Sequence, residues 1–264
     1  LSLFSRRASR LHAGAIRPLS VAAAPNRMEL VKELRLRTSA PMKKCVDALK
    51  KTNDNLDEAI AELRKAGLAT AQKKASRGAF EGAVAVSSTP DGCAIVELNS
   101  ETDFVARNAQ FQSLAANIAS TAMLSVSEGE GLQEIDAAVL SSAELVGDGA
   151  TGPVGEAIGV AVGSLGENLV LRRACVLRVP SGGGVVSSYV HNTYTPQIGR
   201  TVAAVALRSA AADTDALRAL GERLAMHITA ASPLYLSRES VPEAALAREA
   251  DILREQASGA ASGG

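Results

Sequence analysis

The residues of this 264-residue chain that could do chemistry are three histidines, three cysteines and 28 carboxylates. His191 and His227 have no nucleophile near them in sequence, and the carboxylates are dispersed. Acid–base or nucleophilic catalysis needs a constellation, and none is visible. Cys45, Cys93 and Cys175 are far apart and odd in number. With no CxxC and no Cys/His cluster, they indicate neither a disulfide framework nor a zinc site. Gly147-Asp148-Gly149-Ala150-Thr151-Gly152 formally matches GxGxxG. It follows a helical pattern and precedes Pro153, whereas a dinucleotide fingerprint needs strand, turn and helix in order. A glycine loop is the better reading. There is no GxxxxGK[ST], so the chain is not itself a P-loop GTPase. The pattern is not that of an enzyme, and no cofactor or metal is expected.

What remains is a displayed side chain. Ile95 to Leu98 reads as a strand that stops at Asn99, and Phe111, Leu114 and Ile118 anchor the helix that follows. The short turn between them carries Thr102, Asp103, Phe104 and Val105. A turn between strand and helix can hold a side chain rigidly in the open. Phe104 either staples the next helix, with Thr102 or Asp103 as its cap, or is offered to a partner. From the residues alone capping is favoured, because polar residues ahead of a helix usually cap it.

The elements around this turn follow from periodicity. Leu30, Val31 and Leu34 give a short helical face. Ser39 can cap a second helix near Pro41, on which Met42, Cys45, Val46 and Leu49 recur at three and four residues. Asn55 can cap a third helix with Leu56, Ala59, Ile60 and Leu63 inside, ending at Gly67. Residues 81–99 read as a hairpin around Pro90-Asp91-Gly92. Glu134 to Leu145 is helix-prone, and Val154 to Leu165 carries a helical stripe that Gly166 ends. Leu169 to Val179, Val185 to His191 and Thr201 to Leu207 are strand-like. A helix with Leu217, Leu220, Leu224 and Ile228 inside follows, and Pro242 opens the last helix. Strands followed by a helix, twice, predict an α+β fold with two similar subdomains.

Composition bounds the rest. A 47% hydrophobic content supports a real core, and aromatics at 3% make it one of Ala, Val, Leu and Ile. No run approaches the roughly 20 apolar residues that span a bilayer, so no membrane partner is expected. Residues 1–27 contain five arginines and no acid; 28 less five leaves 23 basic residues against 28 acidic. That segment has the character of an organellar transit peptide. The mildly acidic body argues against a nucleic-acid binder held by phosphate contacts.

Asn99-Ser100-Glu101-Thr102-Asp103-Phe104-Val105 closely resembles the signature of elongation factor Ts. Other pieces match that family in order: the helical pattern from Leu30 to Gly67, Gly166-Glu167-Asn168, Ser188-Tyr189-Val190-His191, Leu224-Ala225-Met226-His227-Ile228 and Ala230-Ala231-Ser232-Pro233. The resemblance implies a ubiquitin-associated-like three-helix module at 28–67, a linker at 68–80 and core subdomains at 81–165 and 166–255. The core subdomains are each an antiparallel sheet plus helices. Residues 256–264 are expected to be a disordered tail. It further implies a guanine-nucleotide exchange factor that binds elongation factor Tu, both GDP-bound and nucleotide-free, in the mitochondrial matrix or alternatively a plastid. Thr102, Asp103, Phe104 and Val105 would disturb the partner's magnesium site, with weaker contacts at Met42 and His191. The segment from Asn192 to Gln197 departs from the family by looking inserted. Two rivals stand beside this reading: a ubiquitin-associated-type adaptor without exchange activity, and an organellar enzyme that holds NAD or ATP on the glycine loop.

Overall fold

The computed structural model describes residues 26–126, 129–209 and 214–261. The transit segment expected at 1–27 lies outside them except for its last two residues. Three helices open the described chain: α1 (Arg27–Thr38), α2 (Met42–Lys51) and α3 (Leu56–Lys74). Asn26 and Glu29 form a capping box at α1, and Asn55 accepts from the Asp57 and Glu58 amides at α3. Ser39, expected to cap α2, is instead the left-handed C-cap of α1 at φ 52°, and Pro41 takes the N-cap position of α2. The three helices enclose their own cluster of Leu30, Val31, Leu34, Cys45, Ala48, Leu49 and Ala59.

The body is a six-stranded antiparallel sheet in the order β3-β4-β2-β1-β6-β5. Strands β1 (Glu81–Thr89) and β2 (Gly92–Ser100) form the expected hairpin. A four-residue helix α4 (Asp103–Ala106) and the long helix α5 (Ala109–Ser125) follow. Strand β3 (Gly131–Ile135) and helix α6 (Ala137–Ser142) replace the single helix expected from Glu134, because Asp136 accepts from the Ala138 and Val139 amides and starts α6 there. Helix α7 (Val154–Leu165) ends at left-handed Gly166 as expected. Strand β4 (Leu169–Arg178), which the sequence groups with the second half, pairs between β2 and β3. Glu97 pairs with Arg173 and Leu98 with Leu171, so Arg172 is an extra residue that lets Leu171 and Ala174 both face inward.

Strands β5 (Val185–Thr195) and β6 (Ile198–Leu207) form a second hairpin. The segment expected to be an inserted loop is thus mostly strand, turning at Pro196 and Gln197. This hairpin pairs with β1 at Val84–Gly199 and Ala85–Ile198, and the Val86 amide donates to the Gln197 carbonyl at 2.9 Å. Val186, Val190, Val202 and Ala204 of the hairpin share a cluster with Val86, Cys93, Ile95, Leu177 and Val179. Helix α8 (Thr214–Ala231) buries Gly221 and Ala225 and meets β5 at Ser187, whose hydroxyl donates to the Arg218 carbonyl. A β-carbon on Gly221 would lie 2.5 Å from the Ser187 hydroxyl oxygen. Leu220, expected inside, is exposed, because the close approach of Gly221 turns it outward. Helix α9 (Glu243–Ala261) extends into the stretch read as a disordered tail, consistent with the helix propensity of its alanines.

The main core lies between the β1, β2 and β4 strands and helices α4, α5 and α7, with Val96, Leu98, Phe111, Ile118 and Val162 fully buried. Each such side chain contributes about 1.5–3 kcal/mol on burial. Helix α3 continues past Gly67 to Lys74, so the glycine read as its end is an interior residue facing Gly159, Val160 and Gly163 of α7. Its missing side chain serves close helix approach, not termination. Among the described residues, no helix is long and apolar enough to cross a membrane.

Candidate functional site

The turn after β2 is built from both halves of the chain. Ser100 is fully buried and its hydroxyl donates to the Thr102 carbonyl at 2.8 Å. Thr102 is extended at the N-cap position of α4, but its side chain makes no capping bond. Glu167, in the connection from α7 to β4, takes both of its donors instead. The Thr102 amide donates to Glu167 Oε2 at 2.9 Å and the Thr102 hydroxyl to Oε1 at 2.6 Å. One residue along on each side the roles reverse, and the Asn168 amide donates to Glu101 Oε1 at 2.7 Å. Two neighbouring pairs therefore clasp the turn from opposite directions.

The clasp is fastened further. Asn168 Nδ2 donates to the Arg77 carbonyl at 2.7 Å, and Arg77 Nη1 lies 3.5 Å from Glu101 Oε1. The Asn168 amide holds the Glu101 carboxyl below the usual glutamate range, aided by the charges of Arg77 and Lys74 and opposed by burial. Charge-assisted bonds of this kind are the stronger class.

On this footing α4 divides its side chains. Val105 and Ala106 are buried in the main core, at 8% and 0% exposure, while Phe104 is 79% exposed. Phe104 is no staple: its ring points away from the core that its neighbour enters. Val105, grouped with the contact residues in the sequence reading, is in the core and anchors the turn. Asp103 Oδ2 is 3.6 Å from Arg107 Nε, and the Arg107 guanidinium lies 5.5 Å from the centroid of the Tyr194 ring. Tyr194 is on β5, so the segment that departs from the family pattern supports the turn.

The four turn residues are thus together, whereas Met42 and His191 are on other elements. Met42 opens α2 at 50% exposure. His191 is exposed on β5 opposite Thr201, with its Nδ1 3.4 Å from the Tyr189 hydroxyl. Glu167, Arg107 and Tyr194 were missed as site residues. For Glu167 the only sequence signal was its place between Gly166 and Asn168; a contact across 65 residues has no local period to betray it.

The site can display a ring and an adjacent carboxylate. Among the described residues no group of three or more His, Cys, Asp or Glu could hold a metal ion. Burial pushes the thiols of Cys45, Cys93 and Cys175 up; Cys45 and Cys93 are core residues and Cys175 is half-buried. The glycine loop joins α6 to α7, with Gly147, Gly149 and Gly152 at positive φ and the Asp148 carbonyl accepting from Asn117.

The model of the family described as elongation factor TS matches residues 101–262. An elongation factor Ts of Methylobacterium radiotolerans is 44% identical over 230 residues, covering 87% of this chain and 70% of the relative. One from Rhodospirillum centenum is 42% identical over 228 residues, covering 86% and 70%. A protein of Zea mays named "Elongation factor Ts, mitochondrial" is 39% identical over 244 residues, covering 90% and 64%. The family match and the extent of these relatives establish that the chain belongs to the elongation factor Ts family.

Proposed function

We propose that this chain is the guanine-nucleotide exchange factor for elongation factor Tu in organellar translation elongation, acting in the mitochondrial matrix. The observation that carries the reading is the exposure of Phe104 on a helix whose next two residues are buried. A large ring fixed in the open by a clasped turn is what a wedge needs.

The mechanism is one of linkage. A factor that binds the nucleotide-free GTPase more tightly than the GDP-loaded form weakens GDP by the same ratio. Burying the Phe104 ring in the partner supplies about 1.5–3 kcal/mol, or about one to two decades. Asp103 competes for donors around the partner's magnesium and phosphates, and Arg107 orients it. Thr102 and Val105 hold the wedge from behind. The unit at 28–67, a ubiquitin-associated-like module, docks on the GTPase through the Met42 face, with His191 as a weaker contact. The acid-free, arginine-bearing segment 1–27 and the printed name of the maize relative support the mitochondrial assignment.

The test is release of a fluorescent GDP from organellar elongation factor Tu by the wild-type chain and by Phe104→Ala. Acceleration by the wild type, reduced about tenfold or more in the variant, is expected. No acceleration by folded wild type sinks the reading; equal acceleration by both returns Phe104 to a bystander.

A further inference from the structure

We infer that Glu167 is a positioning residue for exchange, which sets the wedge through Thr102; the inference rests on the exchange reading above. Glu167 has no place on the exposed face of the turn. It reaches from the connection between α7 and β4, and its two carboxylate oxygens take the Thr102 amide and hydroxyl at 2.9 and 2.6 Å. Phe104 is two residues on. Thr102 has no capping bond of its own to α4; Ser100 and Glu101 hold the backbone ahead of the helix, and the Glu167 carboxylate is what holds the Thr102 amide and side chain at its entry.

The core alone does not fix the entry angle of α4. Val105 and Ala106 secure the buried side of α4, but a single turn of helix carries too few backbone bonds to resist rocking about them. Bonds to a charged acceptor are stronger than neutral ones, and a two-point grip fixes direction as well as distance. A wedge works only if its position is settled before it meets the partner, because ordering it on contact subtracts from binding. Without Glu167 the ring is still present and still exposed, but no longer aimed.

The experiment pairs two readouts on the full chain. Amide hydrogen exchange at Thr102 reports the clasp without any partner. GDP release, measured across factor concentrations, reports the maximal rate and the half-saturating concentration separately. For Glu167→Ala, Thr102 amide exchange is expected to rise at least about tenfold and maximal release to fall by a similar factor. The half-saturating concentration should stay within about threefold, since contacts elsewhere are intact. Glu167→Gln should recover most of the rate, because an amide can accept from the Thr102 N–H while its NH2 donates to the hydroxyl. Thr102→Val, which removes one of the two bonds, should fall between and serves if Glu167→Ala folds poorly. Unchanged protection at Thr102, or a full rate from a folded Glu167→Ala while Phe104→Ala is slow, overturns the inference and leaves the exchange reading standing. Failure of the wild type to release GDP overturns the reading itself.

Discussion

Gly163 of α7 meets Gly67 of α3 backbone to backbone: a β-carbon on Gly163 falls 2.5 Å from the Gly67 α-carbon, and one on Gly67 falls 3.1 Å from the Val160 α-carbon. The Lys44 and Lys74 ammonium groups donate to the Gly163 and Gly166 carbonyls at the end of α7. The helical unit and the body are thereby held together. Replacing a helical glycine by alanine ordinarily gains about 1 kcal/mol. Here the obstructing atoms are backbone, and overpacking costs about 1–3 kcal/mol, so the clash wins. Gly163→Ala should lower the melting temperature by several degrees in thermal unfolding; an increase would show that these helices do not touch.

Phe104 and Val105 separate function from stability. Phe104→Ala should leave unfolding free energy within about 0.5 kcal/mol, since an exposed ring is removed from no packing. Val105→Ala removes buried methyl groups from the main core and should cost about 2 kcal/mol in denaturant unfolding. The same pair measured by GDP release should show the larger loss at Phe104. A Phe104→Ala chain as unstable as Val105→Ala would mean that the ring is packed after all.

Local signals located the hairpin of β1 and β2 and helices α5 and α7, because each depends on neighbours in sequence, but at the turn they favoured a cap, which the Thr102 side chain does not make. Gly67 misled for a physical reason: glycine ends helices and also lets them approach, and only the partner helix distinguishes the two. Leu220 misled similarly, since a helical stripe of leucines does not reveal that Gly221 and Ala225 are the residues nearest the sheet. The short strand β3 was hidden because a five-residue edge segment next to a helix cap has too few residues to display a period of two. Strand β4 was visible, but not its position between β2 and β3, which is a long-range choice. Phe104 was singled out by the resemblance of its turn to a family signature, and its support was not. Phe104 lies within one turn, whereas Glu167 joins it across the fold.

Glu101 gives the clasp a pH dependence. Its carboxyl is held below the ordinary glutamate value of about 4.3, first by the Asn168 amide and then by Arg77 and Lys74. A carboxylate with a depressed folded pKa contributes stability that is fully present above its unfolded value and is lost as pH falls through the folded one. The contact should therefore be intact at neutral pH and weaken as pH falls below the ordinary glutamate range. Unfolding measured against pH should show less acid-linked loss in Glu101→Gln than in wild type over that window. Identical pH profiles would remove Glu101 from the linkage.

Met42 and His191 test the division between holding the partner and opening it. Both are exposed and lie on elements other than the turn, so neither Met42→Ala nor His191→Ala should change stability beyond about 0.5 kcal/mol. If the proposed Met42 and His191 contacts are remote from the partner's nucleotide site, they are made equally with the GDP-bound and the empty GTPase. Such uniform binding sets how much factor is needed but not how far GDP is weakened, because only a difference between the two states enters the linkage. Covering the exposed half of the Met42 side chain is worth about 1 kcal/mol, which is about fivefold in affinity. Met42→Ala should raise the half-saturating factor concentration by about that factor and leave maximal GDP release unchanged, with His191→Ala showing a smaller shift of the same kind. A drop in maximal release at Met42 would place the helical unit inside the opening step, and the wedge would then have two edges.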